Sequence, residues 1–189
     1  EFFSYPLDKK KNENMLLYNE KNFSVCPLTT HIELKKVENN INEKKLKNCI
    51  NNIVNFYKKL NKKIQIVILG LNPHASTDMN KNTKDKILIS KVINVMRKKN
   101  INISGPISAD TAFVENYKNK VFVGMYHDQV LIPFKTINKF DGINITIGKK
   151  ILRLSPDHGT AKNLRRRKKN INNESFLRCI DFCSKKLNV

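Results

Sequence analysis

The sequence predicts an α/β domain built around a largely parallel β-sheet, and three features carry that expectation. The run Ile64-Gln65-Ile66-Val67-Ile68-Leu69, closed by Gly70, is dense in β-branched residues, as suits a strand covered on both faces. Before it, from Glu43 to Leu60, apolar residues recur at Leu46, Ile50, Ile53, Val54, Tyr57 and Leu60, with Lys and Asn on the opposite face. That spacing is the period of an amphipathic helix. Helical and extended patterns then keep alternating along the chain, which implies strands joined by crossover helices.

Taken in order, the runs MLLY and FSVCPL between Met15 and Thr30 flank the polar turn Asn19-Glu20-Lys21-Asn22 and predict a hairpin or two adjacent strands. The helix from Glu43 to Leu60 and the strand Ile64–Leu69 follow. A second amphipathic helix is expected from about Thr83 to Lys99, with Ile87, Leu88, Val92, Ile93 and Met96 inward and Asn100 as its stop. Ile101–Ser104 reads as a short strand leading into Gly105-Pro106. Further strands are expected at Lys120–Tyr126, Ile143–Ile147 and Ile151–Leu154. A helix from about Glu174 to Lys186 closes the chain, with Phe176, Leu177, Ile180 and Phe182 available for packing. No internal repeat and no Pro/Gly/Ser linker divides the chain, and 189 residues suffice for one domain with a real core.

The formal net charge of +20 raises the question of nucleic acid. Its make-up argues for another origin. Lysine supplies 30 of the 36 basic residues, and 27 asparagines accompany it, an enrichment spread along the whole chain as coding bias would spread it. The tight cluster Arg165-Arg166-Arg167-Lys168-Lys169 is expected on an exposed turn. No stretch approaches the roughly 20 apolar residues of a membrane-spanning helix. Glu1-Phe2-Phe3 lacks the basic-then-apolar order of a signal peptide. Cys26, Cys49, Cys179 and Cys183 form no CxxC pair and read as reduced thiols, so a cytoplasmic protein without nucleic-acid or membrane partners is expected.

Histidine placement is more informative. The four histidines, His31, His74, His127 and His158, each come just after a predicted strand. In open α/β sheets ligands bind beyond the carboxyl ends of the strands. Imidazole binds divalent metals and titrates near neutrality, so histidines converging on one sheet edge suit a metal or acid–base site. A single loop histidine is more often just a polar residue, and spacing alone does not say which of the four bind metal.

Six segments then occur in order: Pro27-Leu28-Thr29-Thr30-His31, Gly70-Leu71-Asn72-Pro73-His74-Ala75, Gly105-Pro106-Ile107-Ser108-Ala109-Asp110-Thr111, Met125-Tyr126-His127-Asp128-Gln129, Gly142-Ile143-Asn144-Ile145-Thr146-Ile147-Gly148 and Ser155-Pro156-Asp157-His158-Gly159-Thr160-Ala161. Each is similar to a motif of the 4-hydroxythreonine-4-phosphate dehydrogenases. Together, over about residues 1 to 165, they make the chain resemble the carboxy-terminal part of that family.

The resemblance implies a three-layer α/β/α architecture with a largely parallel sheet, like that of the isocitrate and isopropylmalate dehydrogenases. It implies a homodimer with an active site shared between subunits. About residues 1–155 would form the metal- and substrate-binding and dimerisation region, and about 156–189 would pack on the family's amino-terminal domain, which has no counterpart here. The family's metal-binding histidines match His31, His74 and His127, with His127 expected from the partner subunit, so that His31 and His74 should be close within one chain. The metal would be zinc, cobalt, manganese or magnesium. The family's substrate-binding residues match Lys135, Asn144 and Arg153. Two cations suit phosphate or carboxylate, and an amide both donates and accepts. Asp110 and Asp128 are the carboxylates suited to proton handling or to orienting a ligand histidine, although either also suits a helix cap. His158 fits a role behind the metal ligands or on the cofactor side. The hydride acceptor would be NAD or NADP, and the absence of a GxGxxG fingerprint agrees with a fold of non-Rossmann type.

The sequence departs from the family in three places. A His-Thr pair of the missing half has no residue here. Ser76-Thr77-Asp78-Met79 stands where many relatives are glycine-rich, and 165–170 replaces a stretch that usually carries glycine. The family reaction oxidises 4-phosphooxy-L-threonine. A dehydrogenase of another phosphorylated four-carbon acid, such as phospho-threonate or phospho-erythronate, would carry the same residues. A non-catalytic nucleic-acid-binding protein would leave the six ordered motifs unexplained.

Overall fold

The computed structural model describes residues 12–79, 82–114, 117–149, 152–157 and 173–186. Its framework is a seven-stranded sheet of β1 (Asn14–Tyr18), β2 (Ser24–Pro27), β3 (Gln65–Leu69), β4 (Ile103–Ile107), β5 (Lys120–Gly124), β6 (Ile143–Ile147) and β7 (Arg153–Pro156), in the order β4-β3-β5-β2-β1-β6-β7. The pairings β4/β3, β3/β5 and β5/β2 are parallel, and β2/β1, β1/β6 and β6/β7 are antiparallel. Five strands, β2 to β6, therefore run one way, and β1 and β7 run the other. The hairpin expected near the start of the chain is the antiparallel pair β1/β2.

Helices cover both faces. Helix α2 (Glu43–Lys59) is capped by Asn42, whose side chain accepts from the Lys45 amide. It lays Leu46, Ile50, Ile53 and Tyr57 on the sheet beside α3 (Ser90–Arg97) and α5 (Glu174–Lys186), in a cluster with Ile66, Ile68, Val121, Val123, Ile143 and Ile145. The opposite face carries α4 (His127–Asn138), whose Val130, Leu131 and Phe134 pack with Leu17, Val25, Val67, Leu69 and Phe122. That gives the three layers. A short helical turn, Leu34–Lys36 followed by α1 (Val37–Asn40), joins β2 to α2.

Three expected elements shift, and one forms that the local pattern does not predict. Residues 127–138 form α4 despite Pro133 in its interior. The apolar run Val130-Leu131-Ile132-Pro133-Phe134 hides helical periodicity, and burial of one face against β2 and β5 overrides the breaker. The strand at Ile101–Ser104 begins two residues later and runs through Gly105-Pro106 to Ile107. It lies at the sheet edge, where a proline costs no inner ladder bond. The strand at Ile151–Leu154 shifts to Arg153–Pro156, set by its antiparallel register on β6, and Ile151 lies outside the described residues. The helix near Thr83 opens as a π-helical turn, Asp85–Ile89, whose wider winding changes the phase. Ile87 is consequently 55% exposed and Ile89 takes the inward position.

All four cysteines are free thiols. The Sγ atoms of Cys26 and Cys49 are 3.4 Å apart in the core, and their mutual contact and burial push the Cys26 thiol well up. Among the described residues no helix is long and apolar enough to cross a membrane.

Candidate active site

The parallel part of the sheet brings four of the candidate residues to one edge. His31 follows β2, His127 follows β5, His74 follows β3 and Asp110 follows β4, so strand order alone sets the sequence Asp110, His74, His127, His31 along the carboxyl ends. The ring centroids of His31 and His127 are 5.7 Å apart. The resemblance implied a different close pair within one chain, His31 with His74. Adjacent strands explain the observed pair: the Leu28 amide donates to the Gly124 carbonyl at 2.7 Å, and the Thr29 hydroxyl to the Met125 carbonyl at 2.6 Å, so the turns after β2 and β5 are tied together.

A second tie runs from β5 to β3. The Gln129 side chain accepts from the Met125 amide at 2.7 Å and donates to the Gly70 carbonyl at 2.7 Å, linking the His127 turn to the His74 loop. His74 itself has φ 52°, and Ala75 and Ser76 follow with φ 49° and 61°. Three consecutive non-glycine residues in the left-handed region need fixing from outside. Asp85, fully buried, supplies it. Its carboxylate accepts from the Leu71 amide at 2.6 Å, the Asn72 amide at 3.2 Å, the Asn72 side chain at 2.8 Å and the Ser76 hydroxyl at 2.6 Å. Gly70 permits the close packing, because a Cβ there would stand 2.7 Å from the Ala75 Cα.

His127 opens α4 with its Nδ1 2.6 Å from the Asp128 carboxylate. A carboxylate on Nδ1 fixes the tautomer that leaves Nε2 as the free lone pair, the form in which imidazole ligates metal. Asp110 is exposed. The Ser108 hydroxyl at 2.5 Å holds its carboxyl below the usual range, with smaller contributions from the Thr111 amide and the nearby His74. Among the described residues no group of three His, Cys, Asp or Glu side chains stands together as a metal site.

The remaining candidates lie on the α4 face of the sheet. In β6, Ile143, Ile145 and Ile147 point into the α2 cluster, so Asn144 and Thr146 point the other way. Register places Asn144 opposite Ser155 and Thr146 opposite Arg153, which puts Arg153 on that same face. Lys135 projects from α4, two turns beyond His127 and about 12 Å along the helix axis. Its ammonium is 3.1 Å from the Asp157 carboxylate. Asn144 Oδ1 is buried and has no hydrogen-bond partner among the described residues. Lys135, Asn144 and Arg153 thus lie on one face of the sheet, with the buried Asn144 Oδ1 unpartnered among the described residues. His158, Gly159–Ala161 and Arg165–Lys169 lie outside the described residues.

Sequence reasoning missed Asp85, Gln129, Thr29 and Asp157. Thr29, Gln129 and Asp157 carried a signal, since each falls in one of the six ordered segments. Asp85 carried none, being one acidic residue in a Lys-rich stretch.

Known proteins share both the sequence and the fold of this chain. A family model described as pyridoxal phosphate biosynthetic protein PdxA matches residues 1–183. A 4-hydroxythreonine-4-phosphate dehydrogenase of Aquifex aeolicus is 38% identical over 156 residues, covering 82% of this chain and 48% of the relative. A D-threonate 4-phosphate dehydrogenase of Pectobacterium atrosepticum is 33% identical over 158 residues, with the same coverage of 82% and 48%. The crystal structure of a 4-hydroxythreonine-4-phosphate dehydrogenase from Klebsiella pneumoniae superposes with a TM-score of 0.71 at 31% identity, covering 82% of this chain and 48% of that one. The chain spans about half the length of the curated relatives it matches.

Proposed function

This chain belongs to the family of the pyridoxal phosphate biosynthetic protein PdxA, and from that premise we propose that it is the carboxy-terminal part of a metal- and NAD(P)-dependent dehydrogenase of a phosphorylated hydroxy acid. The substrate is 4-phosphooxy-L-threonine, oxidised to a 3-keto acid that loses carbon dioxide to give 3-amino-2-oxopropyl phosphate on the route to pyridoxine 5'-phosphate. The observation that carries this reading is the His31–His127 pair at the carboxyl edge, with Asp128 holding the His127 ring by Nδ1. Two imidazoles, one already oriented, fit a divalent ion as part of a ligand set that His74 completes when two copies associate. Exposed apolar side chains flank that edge and support association: Ile32 and Leu34 beyond His31, Val114 beyond Asp110, and Ile132 on α4.

When bound, the ion supplies Lewis-acid polarisation of the substrate hydroxyl, and a nicotinamide supplies the hydride acceptor. The residues of this chain hold and orient. Lys135 and Arg153 offer cations to the phosphate, and Asn144 offers its open acceptor to a substrate donor. The span between His127 and Lys135 is one that a lysine side chain and a small phosphorylated acid bridge together. Asp110, its carboxyl held below the ordinary range by the Ser108 hydroxyl, is the carboxylate this edge offers for proton handling. No described residue is assigned to the nucleotide. The half-exposed Phe176, Leu177 and Ile180 of α5 fit a helix that packs on the family's amino-terminal domain.

The likeness to D-threonate 4-phosphate dehydrogenases favours a second reading, phospho-threonate as substrate, which uses the same cations and histidines. Turnover by the full-length protein with each phosphorylated acid, with NAD and with NADP, and with and without added divalent metal, decides between them. Activity on neither acid would sink both.

A further inference from the structure

Asp85 has no part in the chemistry above, yet its surroundings are unusual for a carboxylate. It is fully buried, no cation pairs with it among the described residues, and all four of its donors come from residues 71–76. Burial of a charge without a counter-ion is tolerated only where hydrogen bonds replace its hydration. Those donors bracket His74 on both sides: Leu71 and Asn72 before it, Ser76 after it. Between them the backbone passes through three left-handed residues that no glycine relieves. The Asn72 side chain also reaches the Ser76 hydroxyl at 3.2 Å, closing the ring across the loop.

We propose that Asp85 is the positioning residue for His74, a buried clamp that imposes the left-handed loop and so aims the imidazole at the carboxyl edge of the sheet. The inference deepens the metal reading and rests on it for its consequence, but the clamp itself is a statement about loop geometry. Asp85→Asn replaces one accepting oxygen by a donor against donors that stay in place, so the loop should relax toward ordinary backbone angles and carry His74 away. Asp85 touches neither His74 nor any ligand of the proposed ion, so its effect should pass through His74 alone.

The test is a double-mutant cycle in the full-length protein, read by Co²⁺ titration with the cobalt absorption bands as signal, beside nuclear magnetic resonance of the Leu71 and Asn72 amides and the His74 imidazole. Asp85→Asn should weaken Co²⁺ binding tenfold or more, in the range seen when groups that orient metal ligands are removed. In a His74→Ala background it should weaken binding no further, and the three resonances should move in the otherwise wild-type protein. Unchanged affinity, or an equal loss with and without His74, overturns the proposal, since a general loss of stability would act in both backgrounds. Should His74→Ala itself leave Co²⁺ binding intact, the metal reading falls, and the resonances alone judge the clamp: stationary signals overturn it and displaced signals sustain it. If Asp85→Asn does not fold, Ser76→Ala removes one donor of the clamp and is taken through the same cycle.

Discussion

Lys135 on α4 places its ammonium 3.1 Å from the carboxylate of Asp157, just after β7, and the two side chains are 46% and 8% exposed. The pair ties the helix that begins with His127 to the strand that carries Arg153. Lys135→Met takes the cation from a buried carboxylate and should lower stability by about 1–2 kcal/mol, less than for a fully buried pair because the lysine is half in water. Lys135→Arg should restore most of the loss. Urea unfolding at pH 7 reads this directly, and a midpoint that stays put in the methionine variant would show that the pair does not brace the fold.

Glu43 sets the acid response of α2. Hydrogen bonds from Lys91 at 2.6 Å and Lys47 at 2.9 Å hold its carboxyl down at about 2, against 4.5 ordinarily. A depressed folded value means that the ionised form stabilises the native state above the unfolded value, and that this contribution disappears as pH falls from about 4.5 through about 2. Glu43→Gln should therefore flatten the decline of the thermal midpoint over that window and leave the slope above pH 6 alone. Wild-type and variant curves that stay parallel down to pH 2 would contradict it.

Asp128 acts on His127 through Nδ1. Asp128→Asn should free the ring to change tautomer and weaken Zn²⁺ binding by about 10- to 100-fold while leaving the fold intact. Chelator competition measures the affinity, and nitrogen chemical shifts of the imidazole report the tautomer. Equal Zn²⁺ affinity in both proteins would leave Asp128 as a surface carboxylate.

Gln129 bridges the His127 turn and the His74 loop, accepting from Met125 and donating to Gly70. Gln129→Leu leaves both backbone groups unpaired and should cost about 1–3 kcal/mol. Faster amide exchange should appear at Met125 together with new proteolytic sensitivity around His74. Stability within error of wild type would mean that water replaces the bridge.

Asn144 should show a trade of stability against binding. Its Oδ1 is buried without a partner among the described residues, so Asn144→Ala removes an unsatisfied group and should leave the ligand-free protein about as stable or slightly more so. The same change should raise KM for the phosphorylated substrate about tenfold, near 1.4 kcal/mol. Arg153→Ala should raise KM further, by ~2–3 kcal/mol for a charge-assisted contact. An Asn144→Ala enzyme with unaltered KM, or a sharp drop in stability, would place Asn144 in the scaffold instead.

What the sequence determined by itself is the set of elements whose signal is local. The β-branched run at Ile64–Leu69, the 3.6-residue spacing from Leu46 to Tyr57 and the hairpin around Asn19–Asn22 all form where the pattern puts them, because burial of one face or of both is written in consecutive residues. So was the placing of His31, His74 and His127 after strands, and the six ordered motifs identified the family that the comparisons then matched. Tertiary structure decided what depends on neighbours distant in sequence. Helix α4 forms around Pro133 because β2 and β5 bury its apolar face. The order β3-β5-β2, which no local pattern encodes, sets His127 beside His31. The Asp85 clamp closes only when the start of one helix meets the loop after β3, since a lone carboxylate finds four donors only after the chain has folded around it.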